Sequence, residues 1–220
     1  MNEALPEFTF LWLNYNEGFQ IYYTFNELIK SDLSNSEIII IDDNSVDDSE
    51  VILNELKNSY ENFRLIKNDV HMGYKNSVIK GIDNSKGKYI ISFTPGDFLT
   101  HDDFNILKEH SKDRDFIIGL NPIEFIYEKY IDILKRKIKS IKLFLNYGLK
   151  YSDLHSTVFV IRKDIFNKIK RDLHSEYISY DIINILLKSN YKVGQIILSS
   201  EKGVIIGWPL KEFLQKTMKF

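Results

Sequence analysis

The sequence predicts an α/β fold in which a mostly parallel central sheet carries helices on both faces. Short apolar runs rich in β-branched residues alternate with amphipathic stretches along the chain. The run Ile38-Ile39-Ile40-Ile41 has no polar side, as a parallel strand covered on both faces requires. At 220 residues and 44% hydrophobic content, the chain has enough apolar mass for one core. A single domain over residues 1–220 is expected, with 1–105 and 106–220 as its two halves.

Phe8 to Leu13 reads as the first strand and runs into the turn-rich segment Asn14-Tyr15-Asn16-Glu17-Gly18. Phe19 to Ile29 has helical apolar spacing. The isoleucine run is the second strand, closed by Asp42-Asp43-Asn44-Ser45. Val51 to Tyr60 reads as a helix, Phe63 to Ile66 as the third strand, and Tyr74 to Ser85 as a helix that Gly87 helps to end. Tyr89 to Phe93 is the fourth strand, followed by Thr94-Pro95-Gly96-Asp97. Asp102 to His110 is helical and Asp115 to Leu120 a strand. From Lys129 to Lys150, lysines and Arg136 interleave with Tyr130, Ile131, Leu134, Ile138, Ile141 and Phe144, the pattern of a basic amphipathic helix. Thr157 to Ile161 (strand), Ile178 to Lys188 (helix) and Val193 to Leu198 (strand) complete the pattern.

Composition removes several function classes. Lys and Arg total 29 against 31 Asp and Glu, so no global field attracts nucleic acid, and no nucleic-acid partner is expected. The absence of cysteine removes disulfides, thiolate-bound zinc and cysteine nucleophiles, and suits the cytoplasm. No apolar run approaches the roughly 18 residues of a membrane span. The expectation is a soluble cytoplasmic protein, with peripheral contact to an anionic membrane through Lys129–Lys150. None of His71, His101, His110, His155 and His174 forms an i, i+4 pair, and no Gly-x-Gly-x-x-Gly or phosphate-loop lysine motif occurs.

Three predicted strand ends carry acid or amide: Asn14 to Glu17, Asp42-Asp43, and Asp97. Such residues also suit turns and helix caps, but three clusters on one sheet edge mark where α/β sheets bind ligands. Carboxylates repel a diphosphate unless a divalent cation intervenes, and hard oxygen ligands such as Asp97 suit Mg²⁺ or Mn²⁺. Lys75, following Gly73 at a predicted helix start, offers a point charge to the same group.

The motif order resembles family 2 glycosyltransferases. It runs from Leu13-Asn14-Tyr15-Asn16-Glu17 through Ile38 to Ser45, Asn68 to Gly73, Gly81 and Lys86 to Ile90, and ends at Phe93 to Asp97. The segments Asn146 to Thr157 and Ile178 to Ile197 are similar to the polyprenyl-phosphate branch typified by dolichyl-phosphate mannose synthases. The resemblance implies a GT-A fold that binds a nucleotide sugar. Tyr15, Asn16, Glu17 and one of Asp42 and Asp43 would contact the nucleoside, Asp43 being preferred for the base. Gly96 would lie at the donor and Asp97 would hold Mn²⁺ or Mg²⁺. The family's Asp-x-Asp signature reads Pro95-Gly96-Asp97 here, Leu13 replaces the usual proline, and Asn121 stands where the polyprenyl branch carries arginine.

In the second half, Asp153, Ser156 and Thr157 fall at the acceptor loop of that branch, although its glycine is absent. Ser179 stands where hydroxyl-acceptor relatives place their base; Asp181, two residues on, is the candidate catalytic acid or base. Lys202 and Gly203 match the start of the branch's carboxy-terminal motif, whose Ser-Lys pair reads Ile205-Ile206. The implied activity is sugar transfer from a nucleotide diphosphate, with inversion, to a surface glycan or a polyprenyl phosphate. The rival reading is a non-catalytic nucleotide-sugar-binding module.

Overall fold

The computed structural model of the protein describes residues 5–60, 63–120, 156–198 and 204–206, together with Ile138. In chain order the elements are β1 (Phe8–Asn14), α1 (Gly18–Lys30), β2 (Ser36–Asp42), α2 (Ser49–Ser59) and β3 (Phe63–Lys67). There follow α3 (Tyr74–Asn84), β4 (Tyr89–Phe93), a 3₁₀ turn (Pro95–Asp97), α4 (His101–Ser111) and β5 (Phe116–Leu120). The remainder comprises β6 (Phe159–Arg162), α5 (Lys163–Ile169), α6 (Ile178–Lys188), β7 (Val193–Ile197) and β8 (Val204–Ile206). The expected basic helix from Lys129 to Lys150, and the expectations placed on Asn121, Asp153, His155, Lys202 and Gly203, lie outside the described residues.

All strands join one sheet in the order β3-β2-β1-β4-β6-β5-β7-β8. β1 pairs in parallel with β2 and β4, β2 with β3, and β5 with β7; β6 runs antiparallel to β4 and β5, and β8 to β7. Strand alternation sorts the core into two layers. Phe8, Phe10, Trp12, Ile38 and Ile40 face Ile21, Phe25, Leu53, Leu56 and Phe104 of α1, α2 and α4. Leu11, Leu13, Ile39 and Ile41 face Val78 and Ile82 of α3, in the layer that also holds Ile165 of α5 and Ile182 of α6. The four isoleucines of β2 are 0–4% exposed, so the run without a polar side is explained by helices on both faces. Each is worth roughly 1.5–3 kcal/mol of burial, and Ile40→Ala would cost about 2–5 kcal/mol.

Two details depart from expectation. Gly87 does not end α3: the helix closes at Ser85, whose N–H and hydroxyl both donate to Ile82 O. A Cβ on Gly87 would come within 2.5 Å of Phe8 C and Thr9 N, so close passage over β1 is what requires glycine there. The strand expected at Thr157–Ile161 begins only at Phe159, because Ser156 Oγ and Val158 N–H close a local turn at 3.1 Å. No helix among the described residues is long and apolar enough to cross a membrane.

Candidate functional site

Successive strands β1, β2 and β3 step one way across the sheet, and β4 then returns to the other side of β1. That reversal opens a crevice beyond the carboxyl ends of the strands, where open α/β sheets take ligands. A cleft of about 350 Å³ lies there, with Tyr15, Glu17, Asp43, His71, Thr94 and Thr157 in its lining. The second half of the chain supplies one wall: Tyr74 Oη donates to Thr157 O at 2.9 Å, and Thr157 Oγ1 donates to Asp97 Oδ1 at 2.5 Å.

The loops after β1 and β2 brace each other. Asn14 Nδ2 donates to Asp42 Oδ1 at 2.9 Å, and Ser45 Oγ donates to the same oxygen at 2.6 Å. Asp42 is thus an internal strut outside the cleft lining. Asn16 and Asn44 hold left-handed backbone, φ 55 and 61°, which asparagine tolerates better than most residues. Asn16 Oδ1 accepts Val46 N–H at 2.8 Å, so Asn16 shapes the loop while its neighbours Tyr15 and Glu17 reach the cleft. Asn14 also lines the cleft, and its buried Oδ1 has no hydrogen-bond partner among the described residues.

Asp43 has the opposite surroundings to a bare acid. Its Oδ1 accepts from Asn68 Nδ2 at 2.6 Å and from Met72 N–H at 2.9 Å. Its Oδ2 accepts from Gly73 N–H at 2.8 Å and lies 2.9 Å from His71 Nδ1. Burial alone would raise its pKa, but the donors from Met72, Asn68, Ser77 and Gly73 outweigh it and hold the carboxyl below its ordinary value. Gly73 can place its N–H there because its φ is +81°.

At the other end of the cleft, Glu17 Oε2 accepts Gly96 N–H at 2.6 Å. Burial, only partly offset by that bond and reinforced by the charges of Asp97 and Asp47, pushes the Glu17 carboxyl up to about 7. Asp97 closes the 3₁₀ turn by accepting Thr94 N–H at 2.5 Å and is 2% exposed. It stands immediately behind the cleft wall formed by Thr94 and Thr157, not in the lining itself. Among the described residues no three His, Asp or Glu side chains group as a metal site. Glu17 is the one carboxylate of this end in the lining, and a Mg²⁺- or Mn²⁺-like ion can be held by as few as one or two carboxylates with phosphate oxygens and water completing its shell. Crowded negative charge at Glu17 is what such an ion would relieve.

The remaining candidates fall elsewhere. Asp181 Oδ2 accepts the N–H groups of His174 and Ser175 at 2.7 and 2.6 Å, and Lys75 Nζ donates to His174 O at 3.4 Å. These two therefore meet at the His174 turn, and neither is in the cleft lining. Ser156 is buried, and its carbonyl accepts Ser179 Oγ at 2.8 Å, which occupies the hydroxyl standing at the expected base position. Of Ser156 and Thr157, only Thr157 faces the cleft. Sequence reasoning missed Tyr74, Thr94 and His71 as lining residues; for His71 the signal was its place between Asn68 and Gly73, both of which bind Asp43.

Known proteins share this architecture. An uncharacterized glycosyltransferase of Haemophilus influenzae is 22% identical over 185 residues, covering 80% of this chain and 57% of that protein. The Escherichia coli UDP-Glc:alpha-D-GlcNAc-diphosphoundecaprenol beta-1,3-glucosyltransferase WfaP is 31% identical over 159 residues, 70% of this chain and 60% of that protein. The chain therefore spans well under two thirds of the length of these curated relatives. Glucosyl-3-phosphoglycerate synthase from Mycobacterium tuberculosis, in complex with Mn²⁺, uridine-diphosphate and glucosyl-3-phosphoglycerate, superposes with a TM-score of 0.66. That match covers 94% of this chain and 75% of the other at 10% identity, a likeness of fold that bears out the expected GT-A architecture. Residues 13–170 match the family model for glycosyl transferase family 2, and the chain belongs to that family.

Proposed function

We propose that this domain binds a nucleoside diphosphate sugar together with Mn²⁺ or Mg²⁺ and transfers the sugar, with inversion, to a hydroxyl of a glycan acceptor. The observation that carries the reading is the pairing of two unlike carboxylates across one switch-point cleft, Asp43 ringed by donors and Glu17 short of positive charge. Tyr15, Asp43 and His71 frame the nucleoside end, and Glu17, Gly96 and Asp97 the diphosphate end. No Lys or Arg lines the cleft among the described residues, so the diphosphate has no side-chain counter-charge there. Glu17, with Asp97 behind it, would hold the cation, which would supply Lewis-acid stabilisation of the leaving diphosphate.

In the transfer, the oxygen of the acceptor hydroxyl bonds to the anomeric carbon while its proton passes to solvent, the bond to the diphosphate breaks with its electron pair leaving on the nucleoside diphosphate, and the ring passes through an oxocarbenium-like state. Glu17 and Asp97 act at the departing group, and Thr157 holds Asp97 in place from the acceptor side. A phosphate acceptor would need cationic partners that this lining lacks, whereas WfaP by its name acts on a lipid-linked sugar. A sugar hydroxyl is the better match. A domain of this kind on a lipid-linked acceptor would work at the cytoplasmic face of a membrane, with the Lys129–Lys150 segment as its contact.

Calorimetry with UDP, GDP and CDP sugars, with and without Mn²⁺, followed by an assay of nucleotide release with glycan acceptors, tests the reading. Metal-dependent binding of one donor class with release of its nucleotide is the expected result. Binding without any transfer would identify a non-catalytic module, and no binding to any nucleotide sugar would sink the proposal.

A further inference from the structure

Resting on the nucleotide-sugar reading, we propose that Thr157 is the positioning residue for Asp97: its hydroxyl holds the carboxylate while no cation is bound and turns away into the cleft when one is. A buried carboxylate needs donors, and those named on Asp97, which is 2% exposed, are of unlike kind. Its Oδ2 accepts Thr94 N–H at 2.5 Å, a backbone donor built into the 3₁₀ turn that cannot leave without unwinding it. Its Oδ1 accepts Thr157 Oγ1 at 2.5 Å, and this donor is a side-chain rotor. A threonine hydroxyl reaches other staggered positions by rotation about χ1 alone. The rest of Thr157 is pinned independently of Asp97. Its carbonyl accepts Tyr74 Oη at 2.9 Å, and the carbonyl of its neighbour Ser156 accepts Ser179 Oγ at 2.8 Å. The hydroxyl can therefore move while the wall stays.

The placement gives that movement a consequence. Thr157 lines the cleft with Asp97 behind it, whereas Glu17 lines the cleft directly and accepts the N–H of Gly96, the residue before Asp97. Glu17 is open to a cation from the start, and Asp97 Oδ1 only after Thr157 has turned. A hydrogen bond to a charged group opposes that exchange, so Thr157 lowers the affinity for the cation by the worth of the bond. The released hydroxyl then stands in the cleft on the wall supplied by the second half of the chain, where it can donate to or accept from an acceptor hydroxyl. Thr157 thereby makes the acceptor side respond to the cation.

Calorimetry of Mn²⁺ binding to the full chain tests this with wild type, Thr157→Val, which keeps the shape without the hydroxyl, and Thr157→Ser, which keeps the hydroxyl. Thr157→Val should bind Mn²⁺ about tenfold more tightly than wild type, because the competing bond is gone, and Thr157→Ser should stay within about threefold of wild type. Thr157→Val should also melt a few degrees below wild type without metal and regain that deficit in saturating Mn²⁺, which a purely structural role would not produce. In ¹³C-methyl spectra, the Thr157 Cγ2 signal, identified by its absence from Thr157→Ser, should move when Mg²⁺ is added. Equal or weaker Mn²⁺ binding by Thr157→Val, Thr157→Ser binding as tightly as Thr157→Val, a melting deficit untouched by Mn²⁺, or an unmoved methyl signal overturns the role of Thr157 while leaving the cation and nucleotide reading intact. No Mn²⁺ binding by wild type or Thr157→Val, alone or with UDP, GDP or CDP, overturns both.

Discussion

Asp43 and Glu17 sit at the two ends of one cleft and are prepared in contrary ways. Asp43 is ringed by donors from the loop after β3, and its charge is settled before any ligand arrives. Glu17 has one backbone donor, a buried setting and two acidic neighbours, so its carboxyl is raised to about 7. The difference teaches that a fold can use the same side-chain chemistry for two purposes. A saturated carboxylate is a rigid fixture that orders the groups around it, whereas an under-neutralised one is a demand for positive charge.

The widest separation between the two ends should come from Asp97→Asn. If the Glu17 end holds a cation, turnover with Mn²⁺ should fall on the order of a hundredfold or more. The amide can accept Thr94 N–H through its oxygen and donate through its nitrogen to Thr157 Oγ1, so the melting temperature should drop by only a few degrees. Undiminished turnover would remove Asp97 from the metal-holding pair. Next, Asp43→Ala removes the shared acceptor of the buried Asn68 Nδ2 and of the partly exposed Met72 and Gly73 N–H groups, at a cost of about 2 kcal/mol, or about 4–8 °C in melting temperature. A loss below about 1 kcal/mol in urea unfolding would mean that the donor ring is not a structural fixture.

Glu17→Gln should work in the other direction. Because the folded-state pKa of Glu17 is about 7 against an ordinary 4.5, the unfolded chain gives up this proton first. Stability therefore declines as pH rises from 4.5 through 7, with no contribution below that window and the full penalty above it. The glutamine variant, whose amide oxygen can still accept Gly96 N–H, should lack this decline and melt a few degrees higher at pH 8. Thermal melts across pH 4–8 give the slope, and identical profiles for the two proteins would contradict the raised Glu17 carboxyl that burial, and then the charges of Asp97 and Asp47, produce. The smallest effect is expected at Asp181, which lies at neither end of the cleft. Asp181→Asn keeps one acceptor for His174 and Ser175, costing about 1 kcal/mol with turnover within about fivefold of wild type. A far larger loss of turnover in a folded variant would put the catalytic base at this position.

Much of the architecture was legible in the chain because it depends on local periodicity. The isoleucine run has no polar side, and the structure covers both of its faces. α5 was not legible: seven residues are too few to display a helical period. At the site, the strand ends pointed to the edge of the sheet where the cleft lies but not to which of their residues line it. Asp42 and Asp43 are adjacent and chemically identical; only the pairing of Asn14 with Asp42 across β1 and β2 decides which turns inward and which reaches the cleft. Glu17 looks like an ordinary loop acid until Gly96 and Asp97, some 80 positions later, fold against it. His71 appeared only as a member of the Asn68 to Gly73 segment and as one of five histidines without an i, i+4 partner, because no spacing rule connects it to Asp43 and Tyr15.

The insertion of β6 between β4 and β5 bears on how such a domain can be inherited. β4 is paired with β1 on one side and with β6 on the other, so a fragment stopping at residue 105 would bare the apolar edge from Tyr89 to Phe93. An open edge of that kind invites adhesion to other chains. The two halves are therefore no pair of exchangeable modules: recombination between relatives must carry β6, and with it Thr157, alongside the turn after β4 whose Asp97 it bonds.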